Sequence, residues 1–335
     1  MRIIAGNPLL LILAICLPFV ALLCSLLGPT YISLTALIGG DLNSIESLIL
    51  TEIRLPRVFL SMIIGGVLAT SGAVLQGLFR NPLADPSLIG VSAGASVGAS
   101  LSILFGTGIV SASLGGLSLV TLGAFLGSIL TIWLVYQLST GRRGTSVSTM
   151  LLVGIAISAL AGAISSLLII LADNEMLRRM SLWQMGNLDL ASWNRLGVSL
   201  LMLLIFALLL RGQSGPLNAF LLGESEARHL GIDITATKKR LIFLAALGVG
   251  VSTALAGVIA FVGLIVPHLV RQLAGPDHRH LLIGSGLMGA ILLLLADLVA
   301  RTILVPAELP VGIVTAFLGV PFFIYLLVYQ RRTDA

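Results

Sequence analysis

The apolar run at residues 241–267, LIFLAALGVGVSTALAGVIAFVGLIVP, is too long for a single membrane-spanning helix. One helix needs about 20 residues to cross the hydrocarbon core. The run is interrupted at Ala256-Gly257 and again at Pro267, and both glycine and proline favour the end of a helix. We therefore expect a full helix, a turn near Gly257 and a short returning half-helix that ends at Pro267. Irregular backbone within a membrane requires burial by neighbouring helices.

Eight other apolar runs, each near membrane-spanning length, surround this stretch. They cover residues 8–28, 57–79, 88–106, 114–138, 147–171, 193–211, 281–300 and 310–329. A single crossing at 241–267 would place Arg271, Arg279 and the arginines at 331–332 outside, against the preference of basic residues for the cytoplasmic side. Two crossings there give ten helices with both termini in the cytoplasm. The sequence thus predicts an all-α, polytopic membrane protein whose residues 1–335 form one transmembrane domain.

The composition excludes a soluble domain. Hydrophobic residues make up 57% of the chain and charged residues 10%, whereas about a quarter of the residues of a soluble domain are charged. The net charge of +5 comes from basic residues scattered at the ends of apolar runs. They form no basic stripe of the kind that binds nucleic acid.

Catalytic chemistry has little support in the sequence. Residues 90–94, GVSAG, fit the pattern of a hydrolase nucleophile, but the context is helical. Small residues four apart here, and again at Gly123 and Gly127, predict instead that the third and fourth helices pack closely and lie inside the bundle. No metal-site spacing of histidine or cysteine is present, and the only lysines, Lys238 and Lys239, do not follow a glycine as in a P-loop.

An ion-coupled transporter would place ionisable groups near the centre of the membrane. The only acidic residue within an apolar run is Asp297, which lies near the predicted outer end. Arg301 follows it at i+4, so a local ion pair explains it. Any energy for uphill transport is therefore expected to come from another protein.

The polar segment at residues 212–239 is expected to meet a soluble partner on the cytoplasmic side. Residues 216–222 and 224–230 form two predicted short helices, separated by Gly223 and closed by Gly231. In the second helix, Glu224 lies in the first turn and Arg228 in the last. This order matches the helix dipole and predicts an i, i+4 ion pair.

Several blocks of sequence resemble one family when they are taken in order. They are RLPR at 54–57, GAVLQ at 72–76, RNPLADP at 80–86, LGESEAR at 222–228, FVGLIVPHLVR at 261–271, DHR at 277–279, ADLVAR at 296–301, ELPVG at 308–312 and GVP at 319–321. Together they resemble the FecCD family, permeases of bacterial ABC importers for ferric siderophores, haem and vitamin B12. The resemblance implies a ten-helix subunit of the inner membrane that works as a homodimer. It also implies two ATP-binding subunits below and a periplasmic binding protein above, with ATP held by the partner and no cofactor on this chain.

The same resemblance assigns roles to individual residues. The ATPase-coupling residues are Leu222, Gly223, Glu224, Ala227, Arg228 and Gly231. The residues expected to dock the binding protein are Arg54, Arg57 and Arg301, for which local pairing with acidic residues is the alternative. The cytoplasmic gate maps to Val147 and Ser148.

The cargo is expected to be haem, because residues 155–163, 172–178 and 182–186 look more like haem permeases than siderophore permeases. Ferric siderophore and vitamin B12 are the alternatives within the same machinery. An ion-coupled secondary transporter is the alternative from another class.

Overall fold

The computed structural model describes residues 7–30, 32–106, 117–141 and 144–333. The helices in these ranges are α1 (Pro8–Leu26), α2 (Leu34–Gly39), α3 (Ser44–Leu48), α4 (Leu55–Phe79), α5 (Val91–Phe105), α6 (Leu119–Ser139), α7 (Val147–Leu171), α8 (Asn174–Gln184), α9 (Trp193–Leu210), α10 (Ser214–Leu222), α11 (Glu224–His229), α12 (Ile234–Ala256), α13 (Val262–Ala274), α14 (His278–Thr302) and α15 (Val311–Thr333). A π-helical stretch, Ile49–Arg54, joins α3 to α4, and a 3₁₀ turn, Pro86–Ile89, precedes α5. Strands β1 (Thr140–Gly141) and β2 (Gly144–Thr145) form a small antiparallel hairpin.

The ten predicted membrane crossings are confirmed as helices. Within the described ranges, seven helical stretches are long and apolar enough to span a membrane; α5, α13 and the Val311–Leu326 part of α15 are shorter apolar helical stretches. All ten fall on the predicted runs. Arg2, Arg142 and Arg143, which the ten-helix topology places on the cytoplasmic side, lie outside the described residues.

The run at 241–267 folds as two helices, as predicted, but the second does not end at Pro267. Helix α12 ends at Ala256, and Gly257 follows with φ +70°, where a Cβ would overlap the Trp183 carbonyl oxygen. Helix α13 then continues through Pro267 to Ala274. The expected end at Pro267 was therefore wrong.

Gln76 of α4 explains how α13 accommodates this proline. Pro267 has no N–H to donate to the Gly263 carbonyl one turn earlier. The Gln76 side-chain amide donates to the carbonyl oxygens of Gly263, at 3.4 Å, and Leu264, at 3.0 Å. The buried carbonyl that the proline leaves without its helical partner is thus satisfied from a neighbouring helix.

Helices α4 and α12 form the centre of the bundle. In each, 78% of the apolar membrane-spanning window is buried, against 17% in α7 and in α9. The outer helices thus expose apolar faces, while the central pair is enclosed on nearly all sides. Side chains on α4 and α12 are therefore held in place along the centre of the bundle.

Glycine sets the closest helix contacts. A Cβ at Gly98 would overlap the Gly123 carbonyl oxygen, and one at Gly127 would overlap that of Gly94, so α5 and α6 meet backbone to backbone. This confirms the predicted packing role of the G-x-S-x-G segment. The prediction that both helices lie inside the bundle was wrong for α6, of whose window only 28% is buried in the single chain.

Helices α4 and α14 meet in the same way. A Cβ at Gly65 would overlap the Gly289 carbonyl oxygen, and one at Gly289 would overlap that of Gly65. Two helices that touch directly along their backbones leave no room for a side chain between them. The α4–α14 pair is therefore a tightly packed unit that runs through the protein.

The turn after α12 brings two blocks of sequence together. Phe261 has φ +68°, a conformation that residues with a Cβ rarely adopt. Its ring lies where a Cβ on Gly319 of α15 would be. Gly319 is therefore needed to seat the Phe261 ring, which links the sequence blocks at 261–271 and 319–321.

Candidate functional sites

The polar segment at residues 212–239 has the predicted arrangement of two short helices. Helix α10 ends at Leu222, and Gly223, with φ +116°, redirects the chain into α11. Gly231 follows with φ +83°, so both glycines occupy conformations unfavourable to other residues. The Ala227 side chain faces inward and is buried, while Leu222 and Leu230 are exposed. The segment is polar in sequence, but it exposes the apolar side chains of Leu222 and Leu230.

Glu224 pairs with Lys238 of α12 and not with Arg228. The Lys238 Nζ lies 2.8 Å from Glu224 Oε2, and Arg228 is exposed. The predicted i, i+4 pair was wrong because Lys238 is buried and its charge requires a partner there, whereas an exposed pair gains little. The ion pair holds the start of α11 against α12.

Hydrogen bonds fasten α10 to the beginning of α14. The Asn218 side-chain amide donates to Asp277 Oδ1 at 2.7 Å, and its oxygen accepts from the His278 backbone N–H at 2.8 Å. Burial alone would raise the pKa of Asp277. The hydrogen bonds from Arg279 N–H and Asn218, together with the charges of His280 and Arg279, outweigh it and lower that pKa. The carboxylate is therefore stable in its charged form beside α10.

The predicted gate residues lie at the start of helix α7. Val147 and Ser148 are its first two residues, and the Ser146 side chain caps the helix by accepting from Thr149 N–H at 3.3 Å. The hairpin β1–β2 lies immediately before, closed by a bond between the Thr140 and Thr145 hydroxyl oxygens at 3.0 Å. Ser148 is exposed in the single chain. The assignment of a gate here stays a prediction.

Arg57 is the centre of a charged cluster at the opposite end of the bundle. Its Nε and Nη2 atoms both lie 2.9 Å from Asp297 Oδ1. Its Nη1 atom lies 2.8 Å from Glu308 Oε2 and 3.4 Å from Asp189 Oδ1. The Arg57 side chain is buried. One guanidinium thus joins α4, α14 and the loops that carry Asp189 and Glu308.

Arg54 and Arg301 are also buried and bonded within the chain. Arg54 donates to the carbonyl oxygens of Leu26, at 2.8 Å, and Ser25, at 3.1 Å. Arg301 donates to the Cys24 carbonyl, and its Nε atom lies 3.7 Å from Asp297 Oδ2, the local pair that the sequence predicts. Both arginines therefore hold the end of α1 in place. Docking of a binding protein by these arginines stays a prediction.

A cavity of about 600 Å³ lies at the same end, between α5, α6, α8, α9 and α12. Leu182, Trp183 and Leu190 contribute apolar walls. Arg195 also lines the cavity; it is buried, and its Nη2 atom lies 3.4 Å from Ser118 Oγ. Sequence reasoning missed Arg195 because no motif marks it. The cavity combines apolar surface with one buried cation, Arg195, and with two exposed charged side chains, those of Arg179 and Asp189.

The comparison with known proteins decides the family. Residues 11–329 match the FecCD transport family.

The chain belongs to the FecCD transport family.

Its FecCD relatives include the hemin transport system permease protein HmuU of Yersinia pestis, which is 42% identical over 320 residues, 96% of this chain and 95% of that protein. The cobalamin import system permease protein BtuC of Halobacterium salinarum is 42% identical over 279 residues, 83% of this chain and 73% of that protein. A metal-chelate type ABC transporter solved in an inward-facing conformation superimposes with a TM-score of 0.84 at 34% identity, over 95% of this chain and 97% of that one. The family resemblance and the all-α membrane fold are thus confirmed.

Proposed function

We propose that this FecCD chain is the permease subunit of an ATP-driven importer that moves haem from a periplasmic binding protein into the cytoplasm by alternating access. The observation that carries the proposal is the 42% identity to a hemin permease over nearly the full length of both proteins. The cavity beside Trp183 and Arg195 supports it, because haem is an apolar plane that carries carboxylates.

The proposed assembly contains two copies of this chain, two ATP-binding subunits and one binding protein in the bacterial inner membrane. The ATP-binding subunits dock on residues 212–239, where exposed Leu222 and Leu230 offer apolar contacts. This end and both termini are cytoplasmic in the proposal. ATP belongs to the partner subunits.

Transport into sealed vesicles tests the cargo. Vesicles that contain the permease, its ATP-binding subunit and the matching binding protein are supplied with haem, cobalamin or a ferric siderophore. We expect haem uptake that requires ATP and survives collapse of the ion gradients. Cobalamin is the second candidate because the BtuC relative is equally similar over a shorter span. Uptake of cobalamin but not haem would overturn the cargo, and uptake driven by an ion gradient without ATP would overturn the mechanism.

Replacing two residues of α11 tests the coupling segment. Glu224→Ala with Arg228→Ala removes the ion pair to Lys238 and the exposed charge of the last turn. We expect weaker retention of the ATP-binding subunit and loss of uptake. The matched control is Glu175→Ala with Arg178→Ala, two exposed residues of α8. Normal assembly and uptake by the α11 variant would contradict the coupling role.

Arg54, Arg57 and Arg301 are proposed to shape the surface on which the binding protein docks. Each is buried and bonded to other parts of the chain, so in this proposal each holds in place the segments that form the docking surface, such as the end of α1 and the loop that carries Glu308. Charge reversal of Arg54 and Arg57 is expected to weaken binding-protein capture while the ATP-binding subunits remain attached. Pull-down with the purified binding protein measures this, and unchanged capture together with unchanged uptake would refute it.

A further inference from the structure

Lys238 contacts two separate parts of the molecule through one ammonium group. Its Nζ atom lies 2.8 Å from Glu224 Oε2 at the start of α11 and donates to the Thr145 carbonyl oxygen at 3.1 Å. The Lys238 side chain is only 9% exposed, whereas that of Glu224 is 40% exposed. Lys238 is therefore buried, and Glu224 is the partner that is open to displacement from outside.

Thr145 is tied to the beginning of α7. It ends the β1–β2 hairpin, in which its hydroxyl bonds that of Thr140, and the Ser146 backbone N–H donates to the Ser139 carbonyl at 3.1 Å. Helix α7 begins two residues later, at Val147. Any shift of the Thr145 carbonyl therefore moves the first turn of α7.

Helix α11 has few attachments of its own to the bundle. It has six residues, too few to be stable by itself; its Ala227 side chain is buried, and the bond from Ile232 N–H to the Ala227 carbonyl at 3.1 Å closes its own C-terminal end. The Glu224–Lys238 pair adds the connection to α12. Because α12 is enclosed by the bundle, the Lys238 backbone stays in place, while its ammonium group, at the end of a flexible four-carbon side chain, bridges a surface helix and the hairpin.

We infer that Lys238 is the positioning residue through which displacement of α11 reaches the start of α7. The inference rests on the proposed function, in which an ATP-binding subunit docks on the segment that contains α11, and on the predicted gate at Val147 and Ser148 in the first turn of α7. Glu224 and the Thr145 carbonyl share one ammonium. When Glu224 moves, the ammonium follows its charged partner, because a bond between two charged groups is stronger than one to a neutral carbonyl. The Thr145 carbonyl then loses its donor and the hairpin is released.

The test follows the hairpin with a reporter cysteine. Gly141→Cys is suitable because Gly141 is exposed and a Cβ there meets no atom of the described residues within 4 Å. In a chain with Cys16→Ala and Cys24→Ala, the assembled complex is labelled with a maleimide in the presence and absence of ATP with vanadate. Haem uptake per ATP hydrolysed is measured on the same preparations.

Lys238→Met retains the aliphatic stem and removes both contacts. We expect it to retain the ATP-binding subunit and to hydrolyse ATP, to lose the nucleotide-dependent change in labelling, and to lower uptake per ATP by at least about fivefold, the lower range of allosteric coupling. Arg240→Met, at an exposed basic residue of the same helix, is the control expected to behave as the parent. Lys238→Met with the parental labelling change and uptake per ATP would overturn the inference.

A second variant tests the inference if the Lys238→Met complex fails to assemble. Exchanging the charges by Glu224→Lys with Lys238→Glu restores an ion pair but leaves the Thr145 carbonyl without a donor. We expect assembly without coupling, and parental uptake per ATP in this variant would refute the relay through Thr145. If the parent reporter complex itself shows no ATP-dependent uptake of any cargo, the proposed function fails, and the role of Lys238 fails with it.

Discussion

Replacing Arg57 by methionine should destabilise the permease by about 3 kcal/mol. Breaking a buried ion pair by removing one partner costs about 3–5 kcal/mol, because a buried charge is left behind. Of the three carboxylates around Arg57, the side chains of Asp189 and Glu308 are 45% and 34% exposed and can turn to water. Asp297 is 2% exposed, and among the described residues it would retain Arg301, at 3.7 Å, as its cationic partner. The lost Arg57–Asp297 pair is partly compensated by Arg301, so we expect a cost at the lower end of the range of about 3–5 kcal/mol.

The apparent melting temperature of the purified permease in detergent measures this loss. At about 2 °C per kcal/mol for a chain of this size, Arg57→Met should melt about 6 °C lower, and Arg57→Lys, which retains the charge without the planar fork, should fall between. Arg178→Met is the control, because Arg178 is exposed on α8. An exposed docking arginine would contribute at most about 1 kcal/mol. A shift below about 2 °C would therefore refute the structural role derived for Arg57.

Three further substitutions test the packing around the broken helix and the polar segment. Gly72→Ala places a Cβ against the Gly263 carbonyl and should cost about 1–3 kcal/mol, whereas Gly162→Ala, with open space around it, should not lower the melting temperature. Gln76→Leu leaves the buried Gly263 carbonyl without its donor and should cost about 1–3 kcal/mol, measured by the same melting assay. Asn218→Ala removes the hydrogen bonds between α10 and the start of α14 and should increase proteolysis at the polar segment. A cleavage rate equal to that of the parent would contradict this role.

The number of crossings and the break in the seventh run could be predicted from the sequence. Both follow from quantities local to the chain: the length of an apolar run, the position of Gly257 and the distribution of basic residues. The continuation of α13 through Pro267 could not, because the donor that permits it is Gln76 on another helix. The lengths of short helices therefore depended on partners far away in sequence.

The charged contacts also divide into those that local spacing predicts and those that depend on the folded bundle. The i, i+4 rule predicted Glu224 with Arg228, but burial of Lys238 gave Glu224 a different partner. Local spacing did identify Asp297 with Arg301 correctly. It missed the contact of Asp297 with Arg57, 240 residues away, because only the folded bundle brings those helices together.

The direct contact between α4 and α14 has a mechanical consequence. Helices that touch backbone to backbone have no side chains between them whose rotamers could absorb a displacement, so a shift of one helix is passed directly to the other. Helix α14 is bonded to α10 at His278 and to Arg57 at Asp297, points about 30 Å apart along its axis at 1.5 Å per residue. Helix α14 therefore provides a continuous, closely packed connection between the polar segment and the charged cluster at the opposite end of the bundle.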